Sequence, residues 1–385
     1  MIGLFKTKAM RNELLLYIYE AIFRRPIINL YARRFSRRVL ISYSTYHFSK
    51  DNYAAHSNYN ESHVIASIFD NMGYQVDVVN NNRIAKIDFS QYDVVFGEGL
   101  PVFQAIQGAG SPLTIYYGTG SHPFHCTQQS YNRLIYFCQK YRSLPIYSTR
   151  TSDYRWGLAA SLADTVICIG NSETRQTFID NGSKRVYSVD PTFHQRPDRF
   201  TITEGKDFSR SRKSMLWFGS YGLLHKGLDL AVEAFRDRSD WTLHICGYTE
   251  AEKNFLNSLD LPCNVVVHGF VNVLTEEFAD IASEVCFVIL PSCSEGTATA
   301  VVTAVGNGGM VPIVTKECGY DVGDSGFVIE LSVDDIGRTM DKLDGIDISR
   351  LKDLSLKAQS VACNRYTVEN FKCNMSKHLT EILGR

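Results

Sequence analysis

The sequence predicts an α/β protein made of two doubly wound domains, and three observations lead there. At 385 residues the chain exceeds what one hydrophobic core usually organises. Short β-rich apolar runs alternate with helical stretches along most of its length, the pattern of parallel sheets covered on both faces. The alternation lapses once, over residues 195–212 (QRPDRFTITEGKDFSRSR), a polar, charged, proline-bearing stretch that reads as an interdomain linker.

The first domain is expected over residues 38–200. It opens with a strand at Val39–Tyr43, and a polar stretch then leads to a helix from about Glu61 to Asn71, closed by Gly73. Strands follow at Gln75–Val79, Tyr92–Phe96 and Leu113–Tyr117. A helix ends over Leu158–Ala163 before the strand Thr165–Ile169, and a helix at Glu173–Asp180 precedes the strand Arg185–Val189. The second domain is expected over 201–348, with strands at 214–218, 241–246, 264–268, 285–290 and 311–314. The helices between and after them fall at 227–236, 250–258, 275–283, 297–305 and near Val333–Leu343. Residues 349–385 read as helical and long enough to pack back across the first domain. In such sheets ligands bind beyond the carboxyl ends of the strands, so the cleft between the domains is the expected site.

Composition excludes several classes. With 44% apolar and 21% charged residues, neither a disordered nor a disulfide-rich chain fits. The ten cysteines are scattered, with no C-x-x-C pair and no Cys/His cluster at zinc spacing. No secretory signal pattern opens the chain, which points to a reducing cytosol. The net charge of −1 conceals an asymmetry, because residues 1–38 carry +7 and the remainder −8. The basic leader, residues 1–37, includes LLLYIYEAIF (14–23). It reads either as an amphipathic segment lying on a membrane surface or as a helix packed on its own domain. The acidic body argues against nucleic acid as a partner.

Two strand-end motifs carry the chemistry. In WFGSYGLLHKG (217–227) a strand ends at Phe218, glycines at 219 and 222 let backbone approach a ligand, and Lys226 stands just before a helix, suited to a diphosphate. In LPSCSEGTATA (290–300), Glu295 stands between Ser294 and Gly296 at a helix start. There it can accept from sugar hydroxyls or simply complement the helix dipole. The amides of Gly296 and Thr297 suit phosphate in either case. Gly247–Tyr248 and Phe270–Val271 end further strands on the same expected edge and are candidates to line a nucleoside pocket.

The series F-G-(x)6-K-G at 218–227, I-C-G at 245–247, H-G-F-V at 268–271, L-P-S-x-S-E-G at 290–296 and T-x-x-C-G at 315–319 resembles retaining glycosyltransferases of the GT-B fold. More closely it resembles glycosyltransferase family 4, the group 1 type. The resemblance implies two Rossmann-like domains facing a cleft, with the nucleotide-sugar donor held by the second. By position it implies that Lys226 contacts the donor diphosphate and that the Gly219–Ser220 turn lies against it. Glu295 falls at the first acid of the family's E-x7-E motif, which holds the donor sugar. Two departures stand out: Thr303 occupies the second acid position, and Ser220 replaces a frequent arginine.

On the first domain, HSNYNES (56–62) resembles an acceptor-side loop of polysaccharide-cluster members and offers His56, Asn58 and Glu61; Glu61 reads equally as a helix cap. YYGTGSHPFH (116–125) follows a strand, and the resemblance makes His122 the candidate near the reacting sugar, a histidine satisfied by local backbone being the alternative. Asn171 reads as an N-cap.

The expected activity is therefore a retaining hexosyltransferase. It moves a sugar from a nucleotide-sugar donor to a lipid-linked or polysaccharide acceptor at the inner membrane face, in cell-envelope polysaccharide biosynthesis. The protein is expected to be cytoplasmic and peripheral on the membrane through residues 1–37. No D-x-D pair occurs, so neither a metal nor another cofactor is expected. The departures leave open a non-catalytic sugar-nucleotide-binding or partner protein of the same fold, and an epimerase of that fold is a third reading. A nicotinamide dehydrogenase is disfavoured, since no G-x-G-x-x-G follows a strand.

Overall fold

β-Branched and aromatic runs form the strands, and in the first sheet they pair in parallel: Arg37–Tyr43 (β1), Tyr74–Asn80 (β2), Val94–Gly97 (β3), Leu113–Gly118 (β4), Thr165–Ile169 (β5) and Val186–Val189 (β6). A second parallel sheet holds Ser214–Phe218 (β7), Thr242–Cys246 (β8), Val265–Gly269 (β9), Phe287–Leu290 (β10), Val311–Thr315 (β11) and Phe327–Ile329 (β12). The computed structural model describes residues 24–48, 57–108, 110–247 and 250–384. His56, Tyr248 and the apolar segment 14–23 of the leader lie outside them.

Helices cover both sheets. In the first half they are Ser57–Asn71 (α1), Leu100–Gln107 (α2), Pro123–Tyr141 (α3), Tyr154–Leu162 (α4) and Ser172–Asp180 (α5). Then come Arg199–Glu204 (α6), Phe208–Ser211 (α7), Leu228–Ala234 (α8), Lys253–Asn257 (α9), Glu276–Glu284 (α10), Thr299–Gly308 (α11), Val333–Asp344 (α12), Ile348–Arg365 (α13) and Val368–Ile382 (α14). Asn171 caps α5, accepting from the amides of Glu173 and Thr174 at 3.0 and 3.3 Å.

The strand orders are β2-β1-β3-β4-β5-β6 and β12-β11-β10-β7-β8-β9, among the described residues. The winding reverses between β1 and β3 in the first sheet and between β7 and β10 in the second. The loops flanking those two points split apart and leave a crevice at the carboxyl edge. The two carboxyl edges face one another: a Cβ at Gly296, after β10, would lie 2.6 Å from the Ile169 carbonyl at the end of β5.

Three segments differ from the expectation. Residues 195–212 are not a free linker but form α6 and α7 on the second domain. Their charges end on main-chain carbonyls: Lys206 donates to Val285 and Gly308 at 2.6 and 2.7 Å, and Arg196 to Val273 and Thr275 at 2.8 and 2.7 Å. A polar composition therefore marks buried ends of helices and strands here. Of the C-terminal helices, α14 packs on the first sheet through Phe371, Met375 and Leu379. α13 instead packs on the second domain through Leu351, Leu354 and Ala358. Part of the basic leader is folded against the first sheet, where Leu30 donates to Val76, Arg33 pairs with Asp70 and Arg37 lies over Tyr74.

The domains are docked through α3, whose Leu134 and Phe137 join the core of the second domain. Arg133 on α3 donates to both carboxylate oxygens of Asp229, in the first turn of α8, at 2.7 and 2.6 Å, with both side chains almost wholly buried. Main-chain bonds add to this: the amides of Leu224 and His225 donate to the Ser148 carbonyl at 3.1 and 3.2 Å. Removing one partner of a buried ion pair strands the other charge, so Asp229→Ala is expected to cost about 3 kcal/mol or more of stability in urea unfolding. An Arg133→Met/Asp229→Leu double variant is expected to recover most of that loss.

Candidate active site

Two loops rise side by side at the switch point of the second sheet. One runs from Gly219 to Gly227 between β7 and α8, the other over residues 291–298 between β10 and α11. They meet at Gly227, which has φ +65°. A Cβ there would fall 2.1 Å from the Pro291 carbonyl oxygen, so only glycine allows the contact. This approach brings Lys226 and Glu295 together, 4% and 9% exposed. The Lys226 Nζ donates to Glu295 Oε1, which also accepts from Ser292 Oγ at 3.0 Å. The other oxygen, Oε2, accepts from Arg150 Nη1 of the first domain at 3.2 Å. Burial alone would raise the Glu295 carboxyl, but Lys226 and then Arg150 hold it well below the usual carboxylate range. It is ionised.

His225 sits behind this pair. Its Nε2 faces the Ser294 carbonyl, which can only accept, so Nε2 carries the proton and Nδ1 is an acceptor. Nδ1 lies 2.8 Å from Ser130 Oγ of α3 and 3.3 Å from Cys293 Sγ. Burial pushes this imidazole down to about 3, so it is neutral and adds no charge.

The remaining donor-side candidates divide. The hydroxyl of Ser294 meets that of Ser121 across the domain boundary. The Thr297 hydroxyl donates to the Gly319 carbonyl at 3.1 Å, and the Gly296 carbonyl accepts from Thr174 at 3.0 Å. The amides of Gly296 and Thr297 donate to no protein acceptor among the described residues. Ser220 is exposed. Gly247, at φ +92°, stacks so closely on the neighbouring turn that a Cβ would lie 1.7 Å from the Gly219 carbonyl oxygen. Its role is backbone approach between β7 and β8. Val271 is buried in the core, whereas Phe270 stands 80% exposed. Thr303 is half-buried in the second turn of α11.

On the first domain, the reading of His122 near the reacting sugar is corrected. The ring is fully buried and caps α3: Nδ1 accepts from the Phe124 amide at 3.2 Å, and Nε2 faces Ser161 Oγ at 3.1 Å. Ser161 gives its own proton to the Asn181 carbonyl at 2.7 Å, so Nε2 must donate. Both nitrogens are occupied, and burial pushes the ring down to about 4. His125, one turn on, lines the cleft instead, with Ser121 and Glu173 of its own domain and Ser294, Glu295 and Lys316 of the other.

Glu61 is not a cap either, since α1 begins at Ser57. Its carboxyl is sealed, accepting from the Thr192 amide at 2.8 Å and hydroxyl at 3.2 Å and from the Tyr117 hydroxyl at 3.4 Å. Asn58 donates to the Tyr43 hydroxyl at 3.2 Å. Near these, at the switch point of the first sheet, stands a carboxyl that sequence reading missed. Glu98 follows β3, accepts from Asn81 Nδ2 at 2.8 Å and from Thr119 Oγ1 at 3.3 Å, and is buried. The signal available was an acid between two glycines (Gly97, Gly99) directly after an apolar strand. Arg150 carried no such signal. It lies in an irregular stretch and reaches Glu295 only through the docking of the domains.

Residues 212–343 match the family model described as "Glycosyl transferases group 1". A search of the curated proteins by sequence finds no match. Among solved structures, HepE of Anabaena, in complex with UDP-glucose, aligns over 90% of this chain and 99% of its own at TM-score 0.58 and 13% identity. The sucrose-phosphate synthase of Thermosynechococcus elongatus aligns over 91% and 99% at TM-score 0.61 and 11% identity. TarM of S. aureus, in complex with fondaparinux, alpha-GlcNAc-glycerol and UDP, aligns over 77% and 56% at TM-score 0.52 and 13% identity. These likenesses establish the GT-B arrangement of two parallel-sheet domains.

Burial raises both Glu61 and Glu98 from 4.5 to about 7. A raised carboxyl keeps in the native state a proton that the unfolded chain has released, so stability falls as pH rises from about 4.5 to 7. In Glu98→Gln the loss of unfolding free energy between pH 5 and pH 8 is expected to be smaller than in the wild type by about 2–3 kcal/mol. Urea titrations at the two pH values measure it.

Proposed function

We propose that this chain, a glycosyltransferase of the group 1 type with the GT-B fold, moves a sugar from a nucleoside-diphosphate donor to an acceptor hydroxyl with retention of anomeric configuration. The observation that carries the reading is the buried Lys226–Glu295 pair at the switch point of the second sheet, beside the unbonded amides of Gly296 and Thr297. The leaving nucleoside diphosphate gains negative charge as the anomeric bond breaks. Lys226 and the two amides stabilise charge that grows only in the transition state, which is where electrostatic stabilisation accelerates a reaction. Glu295, held as a carboxylate, accepts from the hydroxyls of the donor sugar and fixes its orientation. The reading assigns the neutralising charge to the protein rather than to a divalent metal.

We assign the acceptor side to the first-domain switch point, with Asn58 and Glu98; Thr119, which donates to Glu98, has its carbonyl 3.1 Å from where a Cβ would stand at Gly296. A lipid-linked or polysaccharide acceptor at the inner membrane face fits the basic leader. No helix among the described residues is long and apolar enough to cross a membrane. The solved complexes of HepE with UDP-glucose and of TarM with UDP and alpha-GlcNAc-glycerol support a nucleotide sugar as the donor class.

The wild-type protein, given UDP-, GDP-, ADP- and dTDP-sugars with membrane extracts or glycan acceptors, is expected to release one nucleoside diphosphate, and NMR of the product should show the donor's anomeric configuration. Lys226→Ala should lower kcat/KM by about 100-fold or more, measured on protein shown by circular dichroism to be folded. Binding of a donor that is never consumed with any acceptor would overturn the transferase reading. Deleting residues 1–23, which leaves the segment packed on β2 intact, should shift the protein from the membrane to the soluble fraction of lysed cells. Unchanged sedimentation with membranes would count against the leader as the anchor.

A further inference from the structure

We propose that Arg150, delivered by the first domain, is the second cation of the leaving-diphosphate site. That site is then composite, complete only with the two domains docked.

Four observations carry this, and all rest on the donor site being where the preceding section puts it. First, Arg150 lies along the turn between β7 and α8, where its Nε donates to the Tyr221 carbonyl at 3.2 Å. The guanidinium therefore borders the same glycine turn that brings Lys226 to the cleft. Gly222 makes room for it: with φ +94° and no Cβ, it avoids a 3.1 Å contact with Arg150 Cγ and Nε.

Second, Glu295 cannot neutralise both cations. Lys226 and Arg150 share a single carboxylate, and His225, pushed down by burial, is uncharged. These side chains carry one excess positive charge, and the buried Glu252 carboxylate on the same turn is taken up by the amides of Gly222 and Leu223 at 3.0 and 2.9 Å.

Third, the guanidinium has unused capacity facing solvent. Nη1 and Nε are engaged, but Nη2 has no protein partner among the described residues. The Arg150 side chain is 34% exposed, where those of Lys226 and Glu295 are 6% and 9% exposed. A planar fork with an open edge beside a buried lysine suits two phosphate groups, one for the fork and one for the point charge.

Fourth, the arginine is held in place from its backbone. Ser130 Oγ on α3 lies 2.6 Å from the Arg150 carbonyl and accepts from the Arg150 amide at 3.1 Å. The same hydroxyl sits 2.8 Å from His225 Nδ1, the residue before Lys226. One serine thus ties the backbone of one cation to the residue beside the other, across the domain boundary.

The test is calorimetric titration of full-length wild type, Arg150→Gln, Arg150→Lys and Lys226→Ala with UDP, GDP, ADP and dTDP, and with the corresponding nucleosides. The diphosphate that binds wild type is expected to bind Arg150→Gln about tenfold to hundredfold more weakly, the range of one charge-assisted hydrogen bond. Arg150→Lys should fall between, because it keeps the charge and loses the fork. Nucleoside affinity should be unchanged in both variants, which a merely structural role would not produce. If Arg150→Gln weakens nucleoside and diphosphate equally, or neither, the composite site is overturned while the donor reading stands. If none of the four diphosphates binds wild type, the donor reading itself fails and this inference falls with it.

Discussion

Everything at this site depends on two loops of one sheet coming into van der Waals contact at Gly227 and Pro291. That contact sets Lys226 against Glu295 where water is largely excluded. A buried pair of this kind is a poor source of stability, since desolvating two ions offsets much of their attraction. In the proposed reaction its value is electrostatic readiness. Charges that are already dry and fixed need no reorganisation when a leaving group becomes negative. The same burial explains why His225 stays neutral: a third cation here would repel both Lys226 and Arg150, and the imidazole instead serves as a hydrogen-bonded spacer between Ser130 and the Ser294 carbonyl.

The second constraint is the docking of the domains. Phe137 of the first domain packs against Phe255 of the second with ring centroids 5.3 Å apart. Arg365 joins Asp190 of one domain to Asp321 of the other at 2.8 and 2.9 Å. Each of these contacts joins the two domains and so restrains how far apart the two carboxyl edges stand. A cleft held in this way lets a side chain on an irregular stretch of one domain become a fixed part of the other domain's site.

Much of the fold was legible because strands buried on both faces write themselves as continuous apolar runs. Thr165–Ile169 reads directly off the sequence with the bounds the structure has, and β10 and β11 differ from their expected bounds by a residue or two. α3 was not legible because only Leu134 and Phe137 pack into the other domain while Tyr131, Ile135 and Tyr136 stay exposed, so its apolar residues mark no single inward face. The stretch 195–212 misled for a related reason: the lysine and arginine that mimic a solvated linker are satisfied by carbonyl groups distant in sequence. At the site, Lys226 and Glu295 were readable from strand-end motifs, since the residues that matter follow strands at the switch point. His122 misled because a histidine after a strand has the same local sequence whether it faces the cleft or caps the next helix. Which of the two occurs is decided by Ser161 and Phe124, on elements the motif does not include.

The two departures from the family pattern are physically unequal. An arginine missing at position 220 removes a charge, and charge is supplied by distance rather than by chain position. Any cation brought to within a few ångströms of the same point restores most of the potential. Arg150 is brought to that turn, its Nε donating to the Tyr221 carbonyl at 3.2 Å. The acid missing at position 303 is a different loss. A carboxylate that grips two vicinal hydroxyls works through direction as well as charge, and a half-buried threonine offers one hydroxyl with no charge to strengthen its bonds. On the proposed function, affinity for the nucleoside end of a donor must then come from backbone contacts at the ends of β8 and β9, where the Gly247 amide donates to the Gly269 carbonyl at 2.6 Å. On the proposed function a donor held in this way is gripped most firmly at its diphosphate, beside Lys226 and Arg150.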